Sequence, residues 1–140
     1  MKRLAILLAA LLLAPAAGAQ PPDLPPSLVT YLDNIEAEMG VKRFGATLTG
    51  ALEEDEEATV TVAIPADKDT FIQIACNEYC ESIHASAQNA AGDVIGASDA
   101  YTPEPVLHIP AGTGSSVSVK VYMAYCDDFD CQYAVQAFVR

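Results

Sequence analysis

The sequence predicts an all-β domain, an antiparallel β-sandwich of jelly-roll or Greek-key type with about eight strands, preceded by one short amphipathic helix. Three observations carry that expectation. From Phe44 onward apolar residues recur with a period of two, as in "ATVTVAI", where Val60, Val62 and Ile64 share one face and Thr59, Thr61 and Ala63 the other. Turn formers interrupt this alternation at short intervals: "PADKD" at 65–69, "NAAGD" at 89–93, "PEP" at 103–105 and "PAGTGS" at 110–115. After Gly40 no helical periodicity returns, so the chain lacks the crossover helices that a parallel sheet needs.

The elements follow in order. Lys2 and Arg3 precede an apolar run from Leu4 to Ala14, and Ala17 and Ala19 stand as small residues before a cut, which reads as a secretory signal peptide over 1–19 cleaved after Ala19. Gln20, rather than a cysteine, follows the cut, which argues against a lipid anchor. The apolar run is shorter than the roughly 20 residues needed to span a bilayer, so no membrane insertion is expected. Residues 20–27, "QPPDLPPS", form a Pro-rich arm in which proline fixes φ and removes backbone donors.

Over 28–40, Leu28, Leu32, Ile35 and Met39 lie on one helical face, with Ser27 as N-cap and Gly40 as stop. Asp33, Glu36 and Glu38, not lysines, line the polar face, so the stripe is expected to cover an open end of the domain rather than a membrane. Residues 41–140 form the sandwich. Further half-buried strands are read in "TFIQIAC", "SSVSVKVYMAY" and "QYAVQAFVR", and weaker ones near 44–52, 82–88, 93–98 and 105–109.

Charge narrows the partners. The formal net charge is −12, and loss of the leader removes two of the seven basic residues and none of the nineteen acidic ones, taking it to −14. Such a surface repels nucleic acid and anionic lipid, whose binding requires cationic side chains to replace counterions. Cations and basic proteins are the partners it admits. The same charge also keeps an exported protein soluble, with no partner involved.

The four cysteines lie in two short loops, "CNEYC" at Cys76 and Cys80 and "CDDFDC" at Cys126 and Cys131. Each pair stands where one strand ends and the next begins, and facing positions at a hairpin end bring α-carbons within disulfide range. Four cysteines allow three pairings. Cys76–Cys80 and Cys126–Cys131 is the favoured one, each bridge contributing about 2 kcal/mol by chain entropy. A zinc site would need all four thiolates to converge, and the spacing matches ribbon or finger patterns only loosely. Neither pair is the C-x-x-C of a redox centre.

Candidate reaction centres are few. Asp127, Asp128 and Asp130 are the calcium candidates, since hard cations take carboxylate oxygens, but neither they nor Glu53–Glu57 have EF-hand spacing. His84 and His108 each sit in a predicted strand and project to the face opposite their apolar neighbours. No G-x-S-x-G elbow accompanies the serines, and no phosphate loop is present. The chain therefore reads as a protein without catalytic residues and without a cofactor.

The stretch from about Phe44 to Val139 resembles the bacterial pre-peptidase C-terminal domain. The likeness is carried by Leu48, Gly50 and Leu52 of "ATLTGAL", by "FIQIACNEYC", by "NAAGDVIGASDA" and by "PVLHIPAGTGSSVSVKVY". The second cysteine pair followed by "YAVQAF" resembles small stand-alone periplasmic members. Where the family carries acidic residues after the first cysteine turn, this chain has Ser82 and His84. The resemblance implies a small noncatalytic binding or accessory module of the cell envelope, periplasmic or secreted. Read from the residues, the chain is a monomer that presents exposed faces bearing Tyr122, Tyr125 and Phe129 to a protein or glycan partner. The alternative is a calcium-binding surface module using the Asp127–Asp130 tip, or a hydrolase.

Overall fold

A computed structural model describes residues 24–140. The signal peptide over 1–19 and the first part of the arm, 20–23, lie outside the described residues. One helix, α1 (Pro26–Met39), precedes eight strands: β1 (Lys42–Leu52), β2 (Glu57–Ala63), β3 (Thr70–Cys76), β4 (Cys80–Gln88), β5 (Val94–Ser98), β6 (Val106–Ile109), β7 (Ser116–Cys126) and β8 (Cys131–Val139). They pair antiparallel in two four-stranded sheets of order β1-β8-β3-β6 and β2-β7-β4-β5. That order is a jelly roll, as the period-two pattern and its punctuation predict. Every connection except the β4–β5 hairpin passes from one sheet to the other.

The core lies between the sheets. Ile72, Ile74, Ile83, Leu107, Ile109, Val117, Val119, Val121 and Met123 are all buried there, so the residues that share a face in each predicted strand do turn inward together. The opposite faces differ between the two sheets. On β2-β7-β4-β5 the outer positions, among them Thr61, Ser118 and His84, meet solvent to varying degrees. On β1-β8-β3-β6 the outer face is covered by α1 over the central strands, so β3 and β8 are buried on both sides, which corrects the half-buried expectation for "TFIQIAC" and "QYAVQAFVR", while the outer residues of β6, Val106 and His108, stay exposed.

The helix also lies elsewhere than expected. Its stripe covers a sheet face rather than an open end: Leu28 and Leu32 pack with Val41, Ala75, Ala134 and Phe138. Ala75 and Ala134 are direct partners in the β3–β8 ladder, and their small side chains admit the leucines. The helix starts one residue before Ser27, at Pro26, with Pro25 in the N-cap position and no side-chain cap. Pro26 suits that first turn because its missing N–H would have had no partner there. Gly40 ends the helix in the left-handed conformation at φ 64°, as its place in the sequence predicts. Met39, assigned to the buried stripe, is 61% exposed. Arg43 ties the helix to β1, its guanidinium paired with Asp33 and its N–H donating to Glu36 at 2.8 Å.

Candidate functional site

In a jelly roll, alternate connections emerge at the same end of the sandwich, so loops distant in sequence become neighbours. Here the β1–β2 loop (53–56), the β3–β4 loop (77–79), the β5–β6 loop (99–105) and the β7–β8 loop (127–130) meet at one end. Backbone hydrogen bonds interlock them. Asp55 N–H donates to Met123 C=O at 2.8 Å, Asp127 N–H to Tyr79 C=O at 2.8 Å, Asn77 N–H to Gln132 C=O at 2.9 Å and Ile83 N–H to Thr102 C=O at 3.0 Å.

Both cysteine pairs close at this end as Cys76–Cys80 and Cys126–Cys131, with Cα separations of 5.8 and 5.9 Å. Neither closes a hairpin, because β3 and β4, like β7 and β8, belong to different sheets. Each bridge spans an arch between the sheets, so it fixes where the chain crosses the sandwich as well as the shape of the turn. All four sulfurs are thus committed to disulfides, and none is a free thiol.

The same end gathers carboxylates. Glu53, Glu54, Asp55 and Glu56 come from the first loop, Glu78 from the second, Asp99 and Glu104 from the third, and Asp127, Asp128 and Asp130 from the fourth. They make up ten of the nineteen acidic residues of the chain, and no Lys or Arg lies in those loops to offset them. Lys120, on β7, lies 3.9 Å from Glu57, outside these loops. Lys42, Arg43, Lys68 and Arg140 sit toward the opposite end, with the β2–β3 loop and the ends of β1 and β8.

Crowding shows in the titration of Asp127 and of the neighbouring phenols. A carboxyl–carboxylate hydrogen bond to Glu81, together with its charge, raises Asp127 above the ordinary carboxylate range; burial and Glu54 add to the shift. The Tyr101 hydroxyl donates to Glu81, and chiefly for that reason its phenol is pushed up to about 12. Tyr122 donates to Asp55 at 2.6 Å and is raised in the same way. Each phenol therefore stays a neutral donor beside an acceptor oxygen.

Aromatic rings stand among the carboxylates. Tyr101 and Tyr125 lie 5.3 Å apart between centroids at a tilt of 56°. Tyr79, Tyr101, Tyr125 and Phe129 are 47%, 64%, 52% and 80% exposed. Of the rings expected at an exposed face, Tyr125 and Phe129 are here in the open. Tyr122 is only half-buried on the outer face of its sheet, with its ring 5.8 Å from His84. The sequence pattern alone does not mark Tyr79, Tyr101 and Glu81. The signal that reaches them is topological: once the strand order is known, alternate loops fall at one end.

The remaining candidates do not converge. Asp127 leans toward Glu81, Asp128 accepts from Phe129 N–H at 2.8 Å, and Asp130 is exposed. Among the described residues no group of three or more His, Cys, Asp or Glu side chains is placed to hold one ion. His84 lies on the β2-β7-β4-β5 sheet beside Tyr122, whereas His108 lies on the other sheet, 3.5 Å from Asp69 and stacked near Phe71. The two histidines cannot share a site. Compared with known proteins, the chain matches no family model, and no curated protein is significantly similar to it in sequence.

Proposed function

We propose that this chain is an exported, noncatalytic β-sandwich module of the cell envelope, a small stand-alone counterpart of the pre-peptidase C-terminal domain, whose loop end binds a partner. One observation carries the proposal: the exposed rings Tyr79, Tyr101, Tyr125 and Phe129 all lie at one end of the sandwich, Tyr79 and Phe129 within the two disulfide-closed loops and Tyr101 beside Tyr125 at the end of β7. Large exposed apolar groups gathered in one region mark binding sites more often than they mark chance. Two disulfides fit an oxidising compartment, periplasmic or extracellular, in keeping with the leader read from the sequence. No described helix is long and apolar enough to cross a membrane. The calcium alternative draws no support from the separate orientations of Asp127, Asp128 and Asp130.

Site-specific photocrosslinking in the exporting cell tests the proposal. A photoreactive residue replacing Phe129 is expected to give a discrete crosslinked species, whereas the same residue at Thr61, on the outer face of β2, gives none. Identical patterns from both positions, or no product from either, would refute a binding role for the loop end.

A further inference from the structure

We infer that the loop end is a docking surface for a cationic, Arg- or Lys-rich segment of another protein, with Tyr101, Tyr125 and Phe129 as anchors and the surrounding carboxylates as the charge complement. The inference rests on the binding-module proposal and names the chemistry of the partner. Phe129 is 80% exposed and its side chain has no polar atom, so its contact with water brings no compensating hydrogen bond. Burying that ring is favourable by about 25 cal/mol per Å² of apolar area, a gain realised only on docking. The Cys126–Cys131 bridge closes the loop that carries Phe129, which lowers the ordering cost a partner would otherwise meet.

Charge selects among occupants. The four loops hold ten carboxylates and no Lys or Arg, so a polyanion or an anionic membrane is repelled. A neutral glycan stacks on tyrosine rings but leaves that charge uncompensated. A guanidinium or ammonium group meets both features at once: the ring faces attract a cation, and a carboxylate takes both arms of an arginine. A second copy of this chain offers a poorer complement, because it brings the same excess of nineteen acidic over seven basic residues, and Arg43 among its few cations is already paired with Asp33 and Glu36.

The test titrates the oxidised mature chain with a synthetic peptide of alternating Arg and Gly, with a Gln–Gly peptide and a neutral oligosaccharide run in parallel. Saturable binding of the Arg peptide alone is expected, weakening steeply with added salt because exposed charges are screened within about 10 Å at 0.1 M. Phe129→Ala and Tyr101→Ala should each lower affinity about tenfold, a loss typical of an anchor residue. Asp127→Asn combined with Asp128→Asn should do the same. Removing two charges at the other end, by Asp67→Asn with Asp93→Asn, should change affinity less than about twofold. Thermal melts confirm that each variant folds.

Failure of the Arg peptide to bind overturns the inference. So does an equal loss from near and distant charge removal, or no loss from the aromatic variants, since either would mean diffuse charge attraction. Self-association that these variants abolish would assign the surface to a second copy and overturn it too. Oligosaccharide binding through the same tyrosines, with no Arg-peptide binding, overturns the cationic partner but leaves the binding module standing; absence of any discrete crosslink from position 129 removes both.

Discussion

Gly50 shows how one residue type is dictated by its neighbour across a ladder. It stands opposite Tyr133 in the β1–β8 pairing, and a Cβ there would lie 2.5 Å from the phenol oxygen and 2.7 Å from the ring carbon bearing it. Tyr133 is buried in a packed core and cannot swing clear. Gly50→Ala should therefore cost about 1–3 kcal/mol, the range for overpacking, read from urea unfolding. Adding Tyr133→Leu should cancel part of that cost; strictly additive penalties would show that no steric conflict exists. Gln136 is dictated in another way. It is fully buried beside the bulge where the β1–β8 register breaks between Phe44 and Leu48, its amide donating to Phe44 C=O at 3.2 Å and Ala137 C=O at 2.9 Å while its oxygen accepts from Thr47. A bulge leaves backbone groups without ladder partners, and this side chain replaces them. Its register partner Gln73 does similar work, donating to Glu104 C=O at 3.1 Å and Pro105 C=O at 3.3 Å and so fixing the base of the β5–β6 loop.

At the level of elements, the most informative one is α1. Leu32 is 1% exposed and Leu28 4%, both against Ala75, Ala134 and Phe138. Leu32→Ala should destabilise by about 2–5 kcal/mol, as buried Leu-to-Ala changes do, with both disulfides retained by mass spectrometry. A change within the few tenths expected of a surface position would mean that the helix is not docked on the sheet. The helix itself was legible in the sequence from its 3,4 spacing and from Gly40, and the strands were legible from period two and turn residues. Which surface the helix covers was not legible, because the stripe says only that it must be covered. The clue lay in β3 and β8, whose supposedly outward positions hold Phe71, Ala75, Ala134 and Phe138 and no charged residue, with the uncharged Gln73, Gln132 and Gln136 between them. The hairpin placed at each cysteine pair failed for a related reason: spacing reveals that a strand ends and another starts, but not that the next one joins the other sheet. The loop end was legible only in parts. Tyr125, Phe129 and the acidic runs could be seen in the sequence, while Tyr79, Tyr101 and Glu81 join them solely through the strand order.

The whole molecule is electrically lopsided, and that asymmetry makes stability depend on pH and salt in a direction that can be stated. Asp127 is raised above 3.8 in the folded protein, chiefly by its hydrogen bond to Glu81 and by that group's charge. In the window above 3.8 the folded state holds a proton that the unfolded chain has released, so this contribution is complete below the unfolded value and is lost as pH rises through the folded one. Asp69, at the opposite end, is lowered because it accepts from Ala111 N–H at 2.8 Å and faces His108. Its contribution has the contrary sense: present above 3.8 and lost as pH falls through the folded value. The two ends thus pull the pH profile in opposite directions, and a single substitution separates them. Asp127→Asn removes a charge from the crowded end and leaves Asp69 untouched, so at neutral pH and low salt the variant should melt at a higher temperature than the parent. The gap should narrow as salt screens the repulsion, and also on mild acidification, which protonates Asp127 in the parent. Melting curves across pH at two ionic strengths check this. A variant that melts lower than the parent at neutral pH and low salt would mean that the loop-end carboxylates are held by compensating contacts rather than kept apart at a cost, and the negative end would then have no standing electrostatic reason to recruit a cation.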